Sequence, residues 1–285
     1  MEQVLFLLKS ILMGVVEGVT EFLPISSTGH MILVGSLIQF NDKFANLFEV
    51  VIQLGAILAI VVLYRQKIFH SFKTLHRGGF GYKLWSGILL GTIPALLIGA
   101  LDKVVIKKVL HRDIISDVMM KPLPVSLALI GGALWILYAE KRYRKSENTA
   151  HIERVSLRQA FAIGLFQCIA MVWPGFSRSA ATIIGGWVVG LATPTAAEFS
   201  FFLAIPAMFA ATGGDLVSTH MALTGMQIVS LLIGFVTAFV VALFVVRGFV
   251  EYLKRKPMKV FAAYRLVIGA LFLVLSLANI VKVSA

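Results

Sequence analysis

Two carboxylates, Glu17 and Glu21, stand four residues apart in an otherwise apolar stretch. On a helix that spacing puts both on one face, with Cβ atoms about 5–6 Å apart. Two ionised carboxylates so close in apolar surroundings either share a proton or hold a cation between them. Oxygen ligands suit a hard divalent ion, Mg²⁺ or Ca²⁺, and Mg²⁺ commonly combines one or two carboxylates with substrate phosphates. The plainer alternative is a helix that begins in water with both acids solvated. Ser26-Ser27-Thr28-Gly29-His30 follows, ahead of an apolar run from Met31. Hydroxyls and a glycine before a helix N-terminus make an anion site, because free N–H groups and the positive dipole end face the ligand. The same residue types also serve as ordinary helix caps. His30 is the neighbouring group able to exchange a proton near neutral pH, although a lone histidine is often structural. Much further along, Arg178 stands between Ser177 and Ser179 and ahead of Thr182. Its planar fork suits bidentate phosphate binding; the competing use is a salt bridge to Glu17 or Glu21. Together these are parts for phosphoryl transfer: cation and arginine neutralise charge, a hydroxyl or imidazole attacks, and a histidine moves the proton.

The elements that carry these groups are membrane segments. Of 285 residues 59% are hydrophobic and 14% charged, and mean hydropathy is +0.90, whereas soluble domains carry about 25% charged residues. That excludes a soluble enzyme, a disordered chain and a fibrous protein. The net charge of +12 lies between apolar stretches, so it marks topology and anionic headgroups rather than nucleic acid. A single cysteine, Cys168, excludes a disulfide framework, a thiolate zinc cage and an iron–sulfur cluster within one chain. Met1-Glu2-Gln3 offers no basic start or small-residue cleavage site, so no removable signal peptide is expected. A span needs about 20 apolar residues, and six stretches qualify: 44–63, 84–101, 122–139, 195–213, 224–247 and 261–281. The basic connections 64–83, 140–158 and 254–259 are placed in the cytoplasm, and 213–223, with Asp215 and no Lys or Arg, outside. Alternation puts 102–121 outside despite its five cations, which a short amphipathic surface helix would explain.

Two apolar regions remain, 3–40 and 157–192, each broken by a proline and a Ser/Thr/Gly cluster. Freed backbone at such breaks must lie inside protein or beside a water-filled cavity. Both regions read as re-entrant helical hairpins, the alternative being two kinked full-span helices. A shift of 150 positions superposes Gly14 on Gly164, Glu17 on Gln167, Pro24 on Pro174, Ser27 on Ser177 and Gly35 on Gly185, and one residue out of that register Glu49 pairs with Glu198. An odd number of spans separates the hairpins, so the halves, about 1–121 and 150–260, are expected to be inverted repeats, an architecture best known in transporters. The fold class expected is therefore an all-α polytopic membrane protein, one integral domain over 1–285, with about six transmembrane helices plus two re-entrant hairpins.

Gly14–His30 reads Gly-Val-Val-Glu-Gly-Val-Thr-Glu-Phe-Leu-Pro-Ile-Ser-Ser-Thr-Gly-His, and 174–182 reads Pro-Gly-Phe-Ser-Arg-Ser-Ala-Ala-Thr. With both stretches the sequence resembles the undecaprenyl-diphosphate phosphatase family of the bacitracin-resistance type. Its signatures, Glu/Gln-x-x-x-Glu leading to Pro-x-Ser-Ser-Thr-Gly-His and Pro-Gly-x-Ser-Arg-Ser-x-x-Thr, are matched without a departure. The resemblance implies a bacterial inner-membrane hydrolase that converts undecaprenyl diphosphate to undecaprenyl phosphate. That product is the lipid carrier for peptidoglycan, and consumption of the diphosphate gives tolerance of bacitracin. It also implies Mg²⁺ or Ca²⁺ on Glu17 and Glu21, a phosphate clamp at Arg178, and Ser26, Thr28, Ser177, Ser179 and Thr182 lining the phosphates. Ser27 is favoured as nucleophile with His30 as general base and acid, and His30 as nucleophile stays open. The resemblance further implies a site open to the outer face, in agreement with a first hairpin entering from outside.

Two other classes compete. The phosphatidic-acid-phosphatase pattern requires a histidine six residues after Ser-Arg, and position 184 is Ile; its Lys-x6-Arg-Pro element is also absent. A transporter or flippase of the lipid phosphate is the second, and both functions are compatible in one chain. The partners expected are a polyprenyl diphosphate and membrane lipids, without nucleic acid. Prenyl chain length, a homodimer, and the roles of Glu49, Gln53 and Glu198 are left open by the sequence.

Overall fold

The computed structural model describes residues 1–40, 43–101, 118–144, 149–218 and 222–281. Among these residues the chain forms eleven α-helices: α1 Glu2–Thr20, α2 Ser27–Leu37, α3 Lys43–Leu63, α4 Arg65–Lys73, α5 Phe80–Leu101, α6 Pro122–Tyr143, α7 Leu157–Val172, α8 Arg178–Val188, α9 Thr193–Ser218, α10 Gly225–Arg255 and α11 Lys259–Leu277. Seven of them are long and apolar enough to cross a membrane: α1, α3, α5, α6, α9, α10 and α11. The six expected spans are all present. The seventh is α1, which runs for 19 residues before its break, whereas its counterpart α7 has 16. The surface helix expected within 102–121 falls largely outside the described residues.

Large apolar side chains cover the outside, among them Leu8, Leu89, Leu97, Val236, Phe244, Val267 and Val274, as a bilayer requires. Inside, α10 packs along α1 and α3, α5 along α7, and α6 along α11. Small residues let these backbones approach, as is usual between membrane helices. A side chain at Gly14 would strike the Gly234 carbonyl of α10, and one at Gly164 the Gly91 carbonyl of α5.

Both broken regions fold back on themselves. In the first, Phe6 near the start of α1 meets Phe40 and Phe44, which follow α2, at ring-centroid distances of 5.8 and 5.5 Å. In the second, Thr149 ahead of α7 bonds Gly190 and Ala192 after α8, and Gln159 Nε2 donates to Val189 O at 2.9 Å. Each hairpin therefore leaves at the end where it entered, so neither is a kinked full-span helix. The open end of the first sits by the N-terminal end of α10, where Ser10 and Ser230 hydroxyls are 2.7 Å apart. The open end of the second sits with the basic connections. At that end Arg144 reaches Lys256 O, Glu140 Oε1 accepts from Met258 N at 2.8 Å, and Lys67 pairs with Glu198 at 2.6 Å. The hairpins enter from opposite ends, and their tips meet inside the helix bundle.

Candidate active site

Each hairpin tip is a helix start capped by serine. Ser26 precedes α2 and Ser177 precedes α8, with Oγ accepting from Gly29 N and Ala180 N, each at 3.3 Å. Both caps lie in the left-handed region, at φ 74° and 78°. Serine in that region is strained by about 1–3 kcal/mol, so the surroundings must hold it there. The correspondence differs by one residue from the register read in the sequence: Ser26, not Ser27, is the structural partner of Ser177. The second break carries an extra residue after its proline, and Gly175 supplies the positive φ of 94° there.

What holds the tips is Arg265, fully buried in α11. A guanidinium has five N–H donors, and all five find backbone carbonyls. Nη1 donates to Pro24 O and Phe176 O at 3.1 and 2.9 Å, Nη2 to Ala128 O and Gly175 O at 3.1 and 3.2 Å, and Nε to Leu129 O at 3.2 Å. Three of those carbonyls belong to the two breaks, whose acceptors have no helical partner. Each would otherwise cost about 1–3 kcal/mol as a buried unsatisfied group. Gly132 leaves room for the guanidinium, since a Cβ there would collide with it. Ser179 Oγ completes the joint by donating to Leu23 O at 2.8 Å.

At the joined tips lies a cavity of about 560 Å³. Its polar wall includes Glu21, Ser26, Ser27, Thr28, Ser177 and Arg178; its apolar wall comes from small residues and Met side chains of α5, α7 and α9. Glu21 is the C-cap of α1 and keeps helical geometry, φ −62° and ψ −44°, so it shares a face with Glu17. Ser27 Oγ donates to Glu21 Oε2 at 2.5 Å, and Arg178 Nη2 donates to Glu21 Oε1 at 2.9 Å. Arg178 also donates through Nη1 to Ser200 O at 3.3 Å and through Nη2 to Met208 Sδ at 3.7 Å. The salt bridge therefore does not take Arg178 away from the cavity: it pairs with Glu21 and still lines the wall.

Other expected site residues have supporting positions. His30 does not line the cavity: Nδ1 is 2.7 Å from Ser26 O, and Nε2 is 2.8 Å from the Tyr264 hydroxyl. Neither ring nitrogen is directed at Ser27. Thr182 Oγ1 lies 2.6 Å from Ser200 Oγ, and Ser179 bonds Ser177 Oγ and Leu23 O; both are buried behind the cavity wall. Glu17 is buried below Glu21, and its Oε1 has no partner among the described residues; Glu21, Glu49 and Arg178 are near enough to act on it electrostatically. Gln53 lines the cavity, while Glu198, far from it, is held by Lys67. Among the described residues no three His, Cys, Asp or Glu side chains cluster as a metal cage. The oxygen-only donors at Glu17 and Glu21, one of them an orphan, nonetheless fit a hard cation that takes its remaining ligands from a substrate.

Fold and site together define a multi-pass membrane protein with an oxygen-rich, arginine-bearing cavity where two broken helices meet. Residues 10–271 match the family of bacitracin resistance protein BacA, and the chain belongs to that family. It is similar to an undecaprenyl-diphosphatase of Clostridium tetani, 44% identical over 98% of this chain and 100% of that one. Similar too are the undecaprenyl-diphosphatases of Clostridium novyi, 46% identical over 99% and 100% of the two chains, and of Thermoanaerobacter sp., 46% identical over 97% and 99%.

Arg265 and Tyr264 are missing from the residues read from sequence. The signal for Arg265 is present, since an arginine within an apolar span is as exceptional as Arg178. Nothing in the sequence places Tyr264 on His30.

Proposed function

We propose that the chain hydrolyses undecaprenyl diphosphate to undecaprenyl phosphate and inorganic phosphate, with Ser27 as nucleophile and Glu21 as its base. The observation that carries this reading is the Arg178–Glu21–Ser27 chain of hydrogen bonds on the cavity wall. Glu21 is oriented by arginine through one oxygen and meets the serine hydroxyl with the other, which is the arrangement an activated nucleophile needs. Ser27 Oγ attacks the terminal phosphorus, the bond from phosphorus to the bridging oxygen breaks, and the Ser27 proton passes to Glu21. Undecaprenyl phosphate leaves, and water then releases phosphate from the serine. Arg178 exchanges its weak contact with Met208 Sδ for a phosphoryl oxygen and stabilises the charge that builds there. The N–H groups at the start of α2 and α8 add to that field. His30 acts through Ser26, keeping the strained cap in place.

Mg²⁺ or Ca²⁺ would be held by Glu17 and Glu21 and would neutralise phosphate charge when bound. Thr28, Ser26 and Ser177 border the phosphates, with Ser179 and Thr182 bracing them from behind. We read the protein as an inner-membrane one with basic connections in the cytoplasm and its cavity open to the outer face, the halves about 1–121 and 150–260 being inverted repeats. The deciding experiment is phosphate release by purified protein from undecaprenyl diphosphate in detergent. Stoichiometric undecaprenyl phosphate and phosphate are expected; a pure flippase releases none.

A further inference from the structure

Gln167 on α7 lines the same cavity, is 2% exposed, and carries an Oε1 without a hydrogen-bond partner among the described residues. Buried polar side chains are nearly always paired, and a carboxamide brings two N–H donors and one acceptor to be matched. An unmatched amide oxygen on a residue that lines a cavity points to something that enters it. In the 150-residue register Gln167 stands where Glu17 stands in the first hairpin, and Glu17 Oε1 is the other orphan among the described residues. The difference is charge. Glu17 lies among carboxylates and suits a cation. Gln167 is neutral, belongs to the hairpin that supplies Ser177 and Arg178, and both donates and accepts.

We propose that the Gln167 carboxamide is a further phosphate-binding group of this site, Nε2 donating to a non-bridging oxygen and Oε1 accepting from a protonated one. A terminal phosphate supplies that proton, since its second ionisation falls at about pH 6. The identity of the ligand as a diphosphate rests on the hydrolase reading above; the phosphate chemistry of the residue does not. Gln167 thereby helps hold the diphosphate before attack, and it has no part in moving the Ser27 proton.

The test is the affinity of inorganic pyrophosphate for purified protein in EDTA, by titration calorimetry, together with KM and kcat for undecaprenyl diphosphate. Gln167→Met is expected to weaken pyrophosphate about tenfold, which is about 1.4 kcal/mol, and to raise KM with kcat within about threefold. Gln167→Glu keeps the shape and adds a charge, and should weaken binding further while folding as wild type. Pyrophosphate binding within twofold of wild type in Gln167→Met, or undiminished in Gln167→Glu, overturns the proposal, as does wild-type protein that binds no pyrophosphate. Wild-type protein that binds pyrophosphate but releases no phosphate from the lipid removes the hydrolase reading and leaves Gln167 standing. Active wild type with unchanged variants does the reverse.

Discussion

Glu21 Oε2 accepts the Ser27 hydroxyl at 2.5 Å while Oε1 of the same carboxylate is held by Arg178 at 2.9 Å. One carboxylate thus orients the hydroxyl and answers to the arginine, and the histidine expected from sequence to take the proton is turned towards Tyr264. Glu21→Gln keeps the shape and removes the base, so kcat should fall by about 10²–10⁴, the usual worth of general-base catalysis. Rapid acid quench of enzyme with terminally labelled diphosphate should trap an acid-stable phosphoserine that Ser27→Ala lacks. An acid-labile adduct would assign the attack to His30 instead.

Arg178→Ala should lower turnover by about 10²–10³, the scale for losing one transition-state donor. Arg178→Lys keeps a charge but loses the fork that spans Glu21 and Ser200, so it should fall between wild type and Arg178→Ala. Turnover of Arg178→Ala within tenfold of wild type would take the residue out of the clamp.

Glu17 has a buried oxygen that no described residue satisfies. If that oxygen serves a divalent ion, Glu17→Gln should raise the Mg²⁺ or Ca²⁺ concentration needed for half-maximal activity by about 10-fold or more, in the range seen when groups around a metal are altered. A metal titration that superposes on wild type would leave Glu17 a structural acid.

Arg265 should be the residue on which the joined tips depend. Arg265→Met leaves the carbonyls of Pro24, Gly175 and Phe176 without a donor, and loss of about 3 kcal/mol or more is expected, since each orphaned acceptor costs about 1–3 kcal/mol. Gly132→Ala should act in the same direction by pushing on the guanidinium. Thermal unfolding in detergent measures both, and a melting temperature unchanged in both variants would mean that the tips hold without Arg265.

Most of the architecture was legible in the sequence because a bilayer enforces it. Apolar length gives the spans, and a proline with hydroxyls inside an apolar run has few places to go. Glu21, Ser27 and Arg178 announced themselves as polar exceptions, and they do converge. The hydrogen bonds that arrange them were not legible, since they depend on side-chain directions. His30, next to the serines in sequence, is turned away by the helix it sits on. The extra residue at Gly175 shifted the register by one, which a gap-free comparison hides. Arg265 lies far in sequence from both breaks, and only the packed bundle brings its donors to their carbonyls.

The arrangement of the basic connections yields the last prediction. Arg144 reaches Lys256 O and Lys67 pairs with Glu198 at the end where the second hairpin opens, while the start of α10 lies by the open end of the first. If positive charge sets orientation, Lys141 faces the cytoplasm and Ala222, exposed just ahead of α10, faces outward. In a Cys168→Ala background, Ala222→Cys should react with a membrane-impermeant maleimide on intact cells, and Lys141→Cys only after permeabilisation. Labelling of Lys141→Cys on intact cells would invert the protein. The cavity would then draw its lipid from the opposite leaflet, even though every distance within the site stayed as it is.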